Sequence, residues 1–583
     1  MTGTQRHLAV ILIAIASLLG AAGCVSVPVS GPIEKVEGEQ PPCQNCVNVE
    51  VAPPAAGDEP RQIVEGYLRA TSNYQPNYSV ARQFLTQMAA EKWSPEEGTS
   101  IYRGALSATG RTTVTLSGQL VGSWEKDRTY TARDKQLKWP FELLQENGEW
   151  RIDKPPPGLW VAEYSFRSFY QPYDLYFVGN GRSLVPDPIY LPALSNPANV
   201  ASALMKALLN GPSKWLEPAV SSAIPPNTSL SVDSVTITGG VAQVQLSDSV
   251  LALQDPQRSL LAAQIVYTLK QVGGVKGVVI KVNQQPYRVP GSDPSSLAIS
   301  VDAISRDIEP IPFVSGDELY AVPETGRGVK VVSTDSRALG RAAAPLERYT
   351  VDALAVSMTS TDLAFTTDNA TTLRRAPLAT PGQPRALLSG ASELLRPQFT
   401  RYGELWAIGS QGGRQRMWMS IADKEPVEIP SPVLKNVTAF RISPDGTRMA
   451  LVRSTDTGSE LGLARITRSE GITVDGWRPL DITQANMPQI GRIADVAWLD
   501  ATELMVLGAA GPDSAYAPFR VMEDASRITT DGDPENWDAV ELTVLPRTQT
   551  AIIIGGSGGT WMDNGSQWIE FIDGKVRTIA YPG

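Results

Sequence analysis

From residue 313 onward the chain repeats itself. Short turns at Gly316-Asp317-Glu318-Leu319, Ser360-Thr361-Asp362-Leu363, Tyr402-Gly403-Glu404-Leu405, Gly446-Thr447-Arg448-Met449, Ala501-Thr502-Glu503-Leu504 and Thr548-Gln549-Thr550-Ala551 recur about every 45 residues. An apolar or Ser/Thr run such as Arg441-Ile442-Ser443 or Ala497-Trp498-Leu499 precedes five of them, and another such as Ala450-Leu451-Val452 follows. No long helical periodicity interrupts the series. One strand-turn-strand unit per period, six times over and without helices, predicts an all-β propeller of six blades over residues 313–583. A β-sandwich or a β-solenoid is the alternative arrangement of the same strands.

Upstream the periods are of other kinds. Pro60, a favourable first helical residue, precedes Ile63, Val64, Tyr67, Leu68 and Ala70, an apolar stripe at spacings of three and four. A second helix is expected from Ser79, with Val80, Phe84, Leu85 and Met88 on its buried side. Beyond Thr112 the period shortens to that of strands through Val114, Leu116, Leu120 and Phe141-Glu142-Leu143-Leu144. Asn147-Gly148 before Trp150-Arg151-Ile152 is a type I′ hairpin signal, because both central positions need positive φ. Helices followed by a curved antiparallel sheet predict an α+β domain of nuclear-transport-factor-2-like (NTF2-like) shape over residues 59–160. A connector follows over 161–195, rich in aromatic residues such as Tyr170, Tyr173, Tyr176 and Phe177. Such a cluster reads either as a stacking platform for a sugar or peptide or as packing between two domains.

An α/β domain is expected next, over residues 196–290. Pro197 opens a helix carrying Val200, Leu204 and Leu208, stopped by Asn210-Gly211-Pro212. Strands are expected over 230–237 and 241–246, a helix over 256–272 capped by Asp255, and a closing strand over 278–283. This order places both helices on one face of a small sheet.

At the amino end, Arg6 and His7 precede an uncharged apolar run over residues 8–19, the pattern of an export signal. The run is short of the about 20 residues a spanning helix needs. Leu19-Gly20-Ala21-Ala22-Gly23-Cys24 resembles a bacterial lipobox, although Ala21 stands where a large aliphatic residue is usual. The resemblance implies cleavage between Gly23 and Cys24, with S-diacylglycerol and N-acyl groups, such as palmitate, on Cys24. Ordinary signal-peptidase cleavage or an uncleaved anchor would be the alternative. Residues 1–23 are thus expected as a signal peptide and 24–58 as a lipidated tether, extended by Pro28, Pro32, Pro41, Pro42, Pro53 and Pro54. Within the tether, Cys43 and Cys46 read as a redox pair or as a small structural disulfide in an oxidising compartment.

The only histidine, His7, lies in the leader. A mature chain without imidazole has no Ser-His-Asp or Cys-His mechanism and no His-ligated zinc. With 61 acidic against 51 basic side chains the net charge is −10, and losing Arg6 makes it more negative. Such a field repels polyanions, so no nucleic acid partner is expected. Neither cofactor nor metal is expected. Gly555-Gly556-Ser557-Gly558-Gly559 has no following Lys-Ser/Thr to hold phosphate, and Asp445-Gly446 lacks the ligand ladder of an EF-hand.

Several stretches carry a resemblance that extends over nearly the whole chain. They are Ala81-Arg82-Gln83-Phe84-Leu85-Thr86, Glu149-Trp150-Arg151-Ile152-Asp153, Val185-Pro186-Asp187-Pro188, Arg258-Ser259-Leu260-Leu261-Ala262-Ala263-Gln264-Ile265 and Val496-Ala497-Trp498. In this order behind a lipobox they resemble the actinobacterial lipoprotein LpqB family. Residues 196–290 are similar to the GerMN domain of spore-germination proteins, and Ser443-Pro444-Asp445-Gly446 resembles the turn of TolB-like and WD-like blades. The resemblance implies a non-enzymatic accessory protein held on the extracytoplasmic side of the cell membrane by lipid on Cys24. It implies contact with the ectodomain of an MtrB-type sensor kinase of a two-component system, with effects on envelope and division. No catalytic residue set comes with it, and Cys43 and Cys46 are not part of the family pattern. Two other classes fit the composition: a binder of peptidoglycan or other wall glycan, and a carboxylate-based hydrolase of envelope glycan. The hydrolase needs two carboxyl groups ~5–5.5 Å or ~6.5–9.5 Å apart.

Overall fold

The computed structural model describes residues 51–583 apart from 74, 109, 126–128, 181–182, 195, 315–317, 333–336, 345, 379–382, 423, 486 and 533–536. Gly23, Cys24, Cys43 and Cys46 therefore lie outside the described residues.

Helix Pro60–Ser72 begins on its proline and is held by a reciprocal capping box between Glu59 and Gln62. Its stripe of Ile63, Val64, Tyr67, Leu68 and Ala70 is buried. The expected second helix is two short ones, Ser79–Gln83 and Gln87–Lys92. Between them Leu85 bridges to Ile152, the Thr86 N–H donates to the Ile152 carbonyl, and the Thr86 hydroxyl accepts from the Ala89 N–H as a new N-cap. Restarting the helix resets its phase. Phe84 stays buried, whereas Met88, expected inside, is 64 % exposed.

The sheet behind these helices runs Gly98–Ala108, Thr113–Glu125, Thr131–Glu146 and Glu149–Ile152 in antiparallel succession. Asn147 (φ 54°) and Gly148 (φ 82°) make the hairpin turn. The sheet is mixed rather than wholly antiparallel, because Leu159–Ala162 joins its other edge in parallel, Thr99 facing Leu159.

Residues 161–195, expected as a connector, hold a short helix, Glu163–Phe169, and a long hairpin of Tyr170–Gly179 and Leu184–Pro192. The hairpin rings are divided between two cores. Tyr170 is buried with the first domain, while Tyr176 and Phe177 are buried under the helices of the second. These rings therefore pack domains together.

In the second domain, helix Pro197–Leu209 stops at Asn210 and at Gly211, whose φ is +87°. Val241–Leu246 runs parallel to Gly277–Val282 at the sheet centre. The strand expected over 230–237 shrinks to Thr236–Thr238. Leu230 makes only one bridge, to Leu246, and the Val235 N–H is taken by the Ser202 hydroxyl, so no ladder can form there. Helix Asp255–Leu269 is capped by Gln254, boxed with Gln257, rather than by Asp255. From its buried face Gln264 donates to the Tyr176 carbonyl at 2.8 Å, fastening helix to hairpin.

The C-terminal region consists of six four-stranded antiparallel sheets. Each expected turn from Ser360 onward joins the first and second strands of a sheet, and Asp362, Glu404, Arg448, Glu503 and Thr550 open those second strands. The first sheet, Leu319–Pro323, Val329–Val332 and Leu339–Ala344, takes its remaining strand from Val576–Ala580 at the far end of the region, Tyr320 facing Ala580. Six apolar cores lie between successive sheets. The sixth joins Leu545, Ile552 and Ile554 of the last sheet to Leu319 and Ala321 of the first. Such closure leaves no unit with an uncovered apolar face and is the propeller-like solution, not the sandwich or solenoid.

Candidate functional site: the axial funnel and the interdomain seam

One edge strand from each of the six sheets lines a single axial cavity, to which these strands contribute Leu354, Gln398, Arg441, Trp498, Thr543 and Ala580. It encloses about 800 Å³ including its open mouth. Arg396 crosses its floor. The guanidinium donates to the carbonyls of Leu542 and Ile579, both at 2.8 Å, and of Leu354 at 3.3 Å, tying three sheets together. Two carboxylates flank it, Glu541 at 3.4 Å and Asp495 at 3.6 Å, and Arg441 lies 3.6 Å from Asp495. Both acids are engaged elsewhere too. Asp495 accepts from the Val496 and Leu542 N–H groups, and Glu541 from the Thr578 hydroxyl and the Ile579 N–H. Burial pushes the Glu541 carboxyl up, and burial lowers Arg441 to about 10 against the pull of Asp495. Two cations against two carboxylates make a compensated plug that fixes strands.

A strap over residues 307–314 lies across the mouth, with Ile311, Pro312 and Val314 in the lining. Arg401 donates to the carbonyls of Asp307 at 2.8 Å and Glu309 at 2.7 Å, and Arg547 pairs with the Glu309 carboxylate at 2.7 Å.

The seam between the second domain and the sheets centres on Ser443-Pro444-Asp445-Gly446-Thr447-Arg448. Asp445 accepts from the Ser443 hydroxyl and the Thr447 N–H, closing the turn. Arg448 has no exposed surface. It binds Asp445, Glu523 of the fifth sheet and the Ala501 carbonyl, and reaches the Pro186 carbonyl of the hairpin at 3.4 Å. Burial opposes its charge, but Asp445 and Glu523 more than offset this and raise its pKa. With two acids sharing one guanidinium, burial pushes Glu523 up to about 8 despite Arg448, with Asp524 and Asp174 adding to the rise. Burial likewise pushes Asp174 and Glu503 up to about 7. Around this centre the Tyr402 hydroxyl meets the Asn180 carbonyl at 2.5 Å and the Ser183 hydroxyl at 3.0 Å. Tyr190 donates to Asp524 at 2.7 Å, and the Trp215 indole donates to the Gly476 carbonyl at 2.6 Å.

These buried arginines escaped the reading of the sequence, although a signal was present. The third residue of each turn is acidic or basic in four of the five copies from Ser360 onward, and each of these finds an opposite charge: Asp362 with Arg375, Glu404 with Arg468, Arg448 with Glu523, Glu503 with Arg520. Arg448 alone reverses the sign. Gly555 to Gly559 is a turn between strands Thr550–Gly555 and Thr560–Asp563, and Asp445-Gly446 is a sheet turn. Among the described residues no cluster of three or more His, Cys, Asp or Glu could hold a metal ion, and no helix is long and apolar enough to cross a membrane.

Three family models match in order: "Lipoprotein LpqB, N-terminal domain" over residues 53–167, "Sporulation and spore germination" over 174–288, and "Lipoprotein LpqB beta-propeller domain" over 330–582. The second begins inside the hairpin, in keeping with Tyr176 and Phe177 belonging to that core. Lipoprotein LpqB of Cutibacterium acnes is 27 % identical, the match covering 98 % of each chain. That of Thermobifida fusca is 25 % identical over 90 % of this chain and 91 % of its own. Among solved structures, TolB from Acinetobacter baumannii aligns with 58 % of this chain at 13 % identity and a TM-score of 0.34, too low to add to the argument. By its three matching domains, in order and nearly end to end with its relatives, the chain belongs to the LpqB lipoprotein family.

Proposed function

We propose that this chain is a binding lipoprotein, held by acyl groups on Cys24 at the extracytoplasmic face of the cell membrane, which contacts and modulates an MtrB-type sensor kinase. In this reading the six sheets are the blades of a six-bladed propeller and the first domain has an NTF2-like shape. The supporting observation is the near end-to-end similarity to lipoprotein relatives, which makes the tethered three-domain chain the working unit. Reach then favours the membrane-proximal domains, residues 60–290, as the contact. A Pro-rich tether over 25–58 extends about 100 Å at ~3.1 Å per residue, and the domains next to it share the layer in which a kinase ectodomain sits.

Binding, not hydrolysis, is the chemistry that this reading assigns. A glycosidase acid must release and recover a proton, whereas Asp495 and Glu541, the carboxylates beside Arg396, are tied to backbone N–H groups, a hydroxyl and guanidinium. Purified full-length chain is expected to retain the kinase ectodomain on a sensor surface and to release no reducing ends from wall glycan. Absence of retention, or release of reducing ends lost on Glu541→Gln, would reverse the assignment.

A further inference from the structure

A second cavity, about 650 Å³ including its opening, lies where the first domain, the hairpin and the fifth sheet meet. One wall is aromatic. Phe166, Tyr170 and Tyr190 line it, with ring centroids of Phe166 5.6 Å from Tyr170 and 5.3 Å from Tyr190. The other wall, from Met522 to Thr529, brings hydroxyls and Arg527. The only charged residues in the lining are Arg167 and Arg527, on a chain whose net charge is −10. Arg167 is not neutralised one for one, because it shares Glu163 with Arg103 at 2.9 and 2.6 Å. Arg527 is exposed and forms no ion pair among the described residues. Tyr170 is 3 % exposed, and its buried hydroxyl has no hydrogen-bond partner, which costs free energy unless something polar meets it.

We propose that this cavity is a binding site for an acidic saccharide. A pyranose ring has an apolar face to lay on the Phe166, Tyr170 and Tyr190 rings and a hydroxylated edge for the opposite wall. A carboxylate on that ring meets Arg167 and Arg527 through charge-assisted hydrogen bonds, and a ring oxygen takes the Tyr170 O–H. An acyl chain would leave both guanidiniums and the Tyr170 hydroxyl unmatched. Placed among three domains, the site would couple wall chemistry to their relative positions.

The test uses the full chain freed of its leader, with three probes: N-acetylglucosaminyl-N-acetylmuramic acid, the uncharged chitobiose, and laurate. Saturation-transfer NMR and calorimetry are expected to show the acidic disaccharide binding at least fivefold tighter than chitobiose, with laurate failing to displace it. Arg527→Ala, on an exposed loop, should weaken binding at least fivefold. Tyr170→Phe keeps the ring and should weaken it about fivefold, the loss of one neutral hydrogen bond, with no loss of melting temperature. Equal affinity for the two disaccharides, no transfer to either at millimolar concentration, displacement by laurate, or indifference to both substitutions would overturn the proposal.

Discussion

Arg448 stands at the point where the second domain, the fourth sheet and the fifth sheet meet, and its removal would strand Asp445 and Glu523 in a buried site. Breaking such a buried network by taking out one partner costs about 3–5 kcal/mol. Arg448→Met is expected to lower stability by that amount in chemical denaturation, and a loss under about 1 kcal/mol would contradict the role given to it. Glu523 makes the same seam sensitive to pH. Its folded pKa of about 8 lies above the ordinary 4.5, so the native state keeps a proton that the unfolded chain releases. Its contribution is complete below about pH 4.5 and is lost as pH rises through 8, and Asp174 and Glu503 act in the same sense. The melting temperature should fall between pH 6 and pH 9, and Glu523→Gln, which mimics the protonated acid, should fall less. An equal or steeper fall in the variant would contradict the assignment. The repeated charge at the turns was the one trace of this in the sequence; the burial itself was not legible, because burial of an arginine depends on which residues approach from Pro186 and Glu523, far away in the chain.

Elements were easier to read than their limits. The Asn147-Gly148 hairpin and the turns from Ser360 onward stood out because they depend on local backbone conformation, which residues three or four apart already determine. Gly446 shows how strict this is: its φ is +79°, and a Cβ there would lie 2.6 Å from the Tyr402 ring. Gly446→Ala should therefore cost about 1–2 kcal/mol for the left-handed backbone alone, and a neutral result would mean that the turn can be remade. What the sequence missed were elements decided by tertiary competition. Met88 faces solvent because Thr86 restarts its helix against Ile152, and 230–237 loses its strand because Ser202 takes the Val235 N–H. The strand Leu159–Ala162 returned in parallel to the opposite edge of its sheet, a pairing no local pattern announces.

At the scale of the molecule the repeat was the most readable feature, since six similar units cannot each bury two apolar faces unless they share them with neighbours. Ring closure by Val576–Ala580 satisfies the two units that would otherwise be ends. The candidate site was less legible, because the funnel plug, the seam and the three-way cavity arise only when distant segments meet. Membrane attachment is tested by Cys24→Ala, which should leave the chain with an uncut leader or move it out of the membrane fraction. Membrane retention of a cleaved Cys24→Ala chain would count against lipidation. The central claim, that membrane-proximal domains meet a sensor kinase, is tested most directly by site-specific photocrosslinking of the full chain in its native envelope. Crosslinkers would replace exposed Met88 and Tyr164 of the first domain, and exposed Ile421 and Val427 of the propeller. The account predicts kinase adducts from Met88 or Tyr164 and none from Ile421 or Val427; adducts from the propeller positions alone, or no kinase adduct from any, would contradict it.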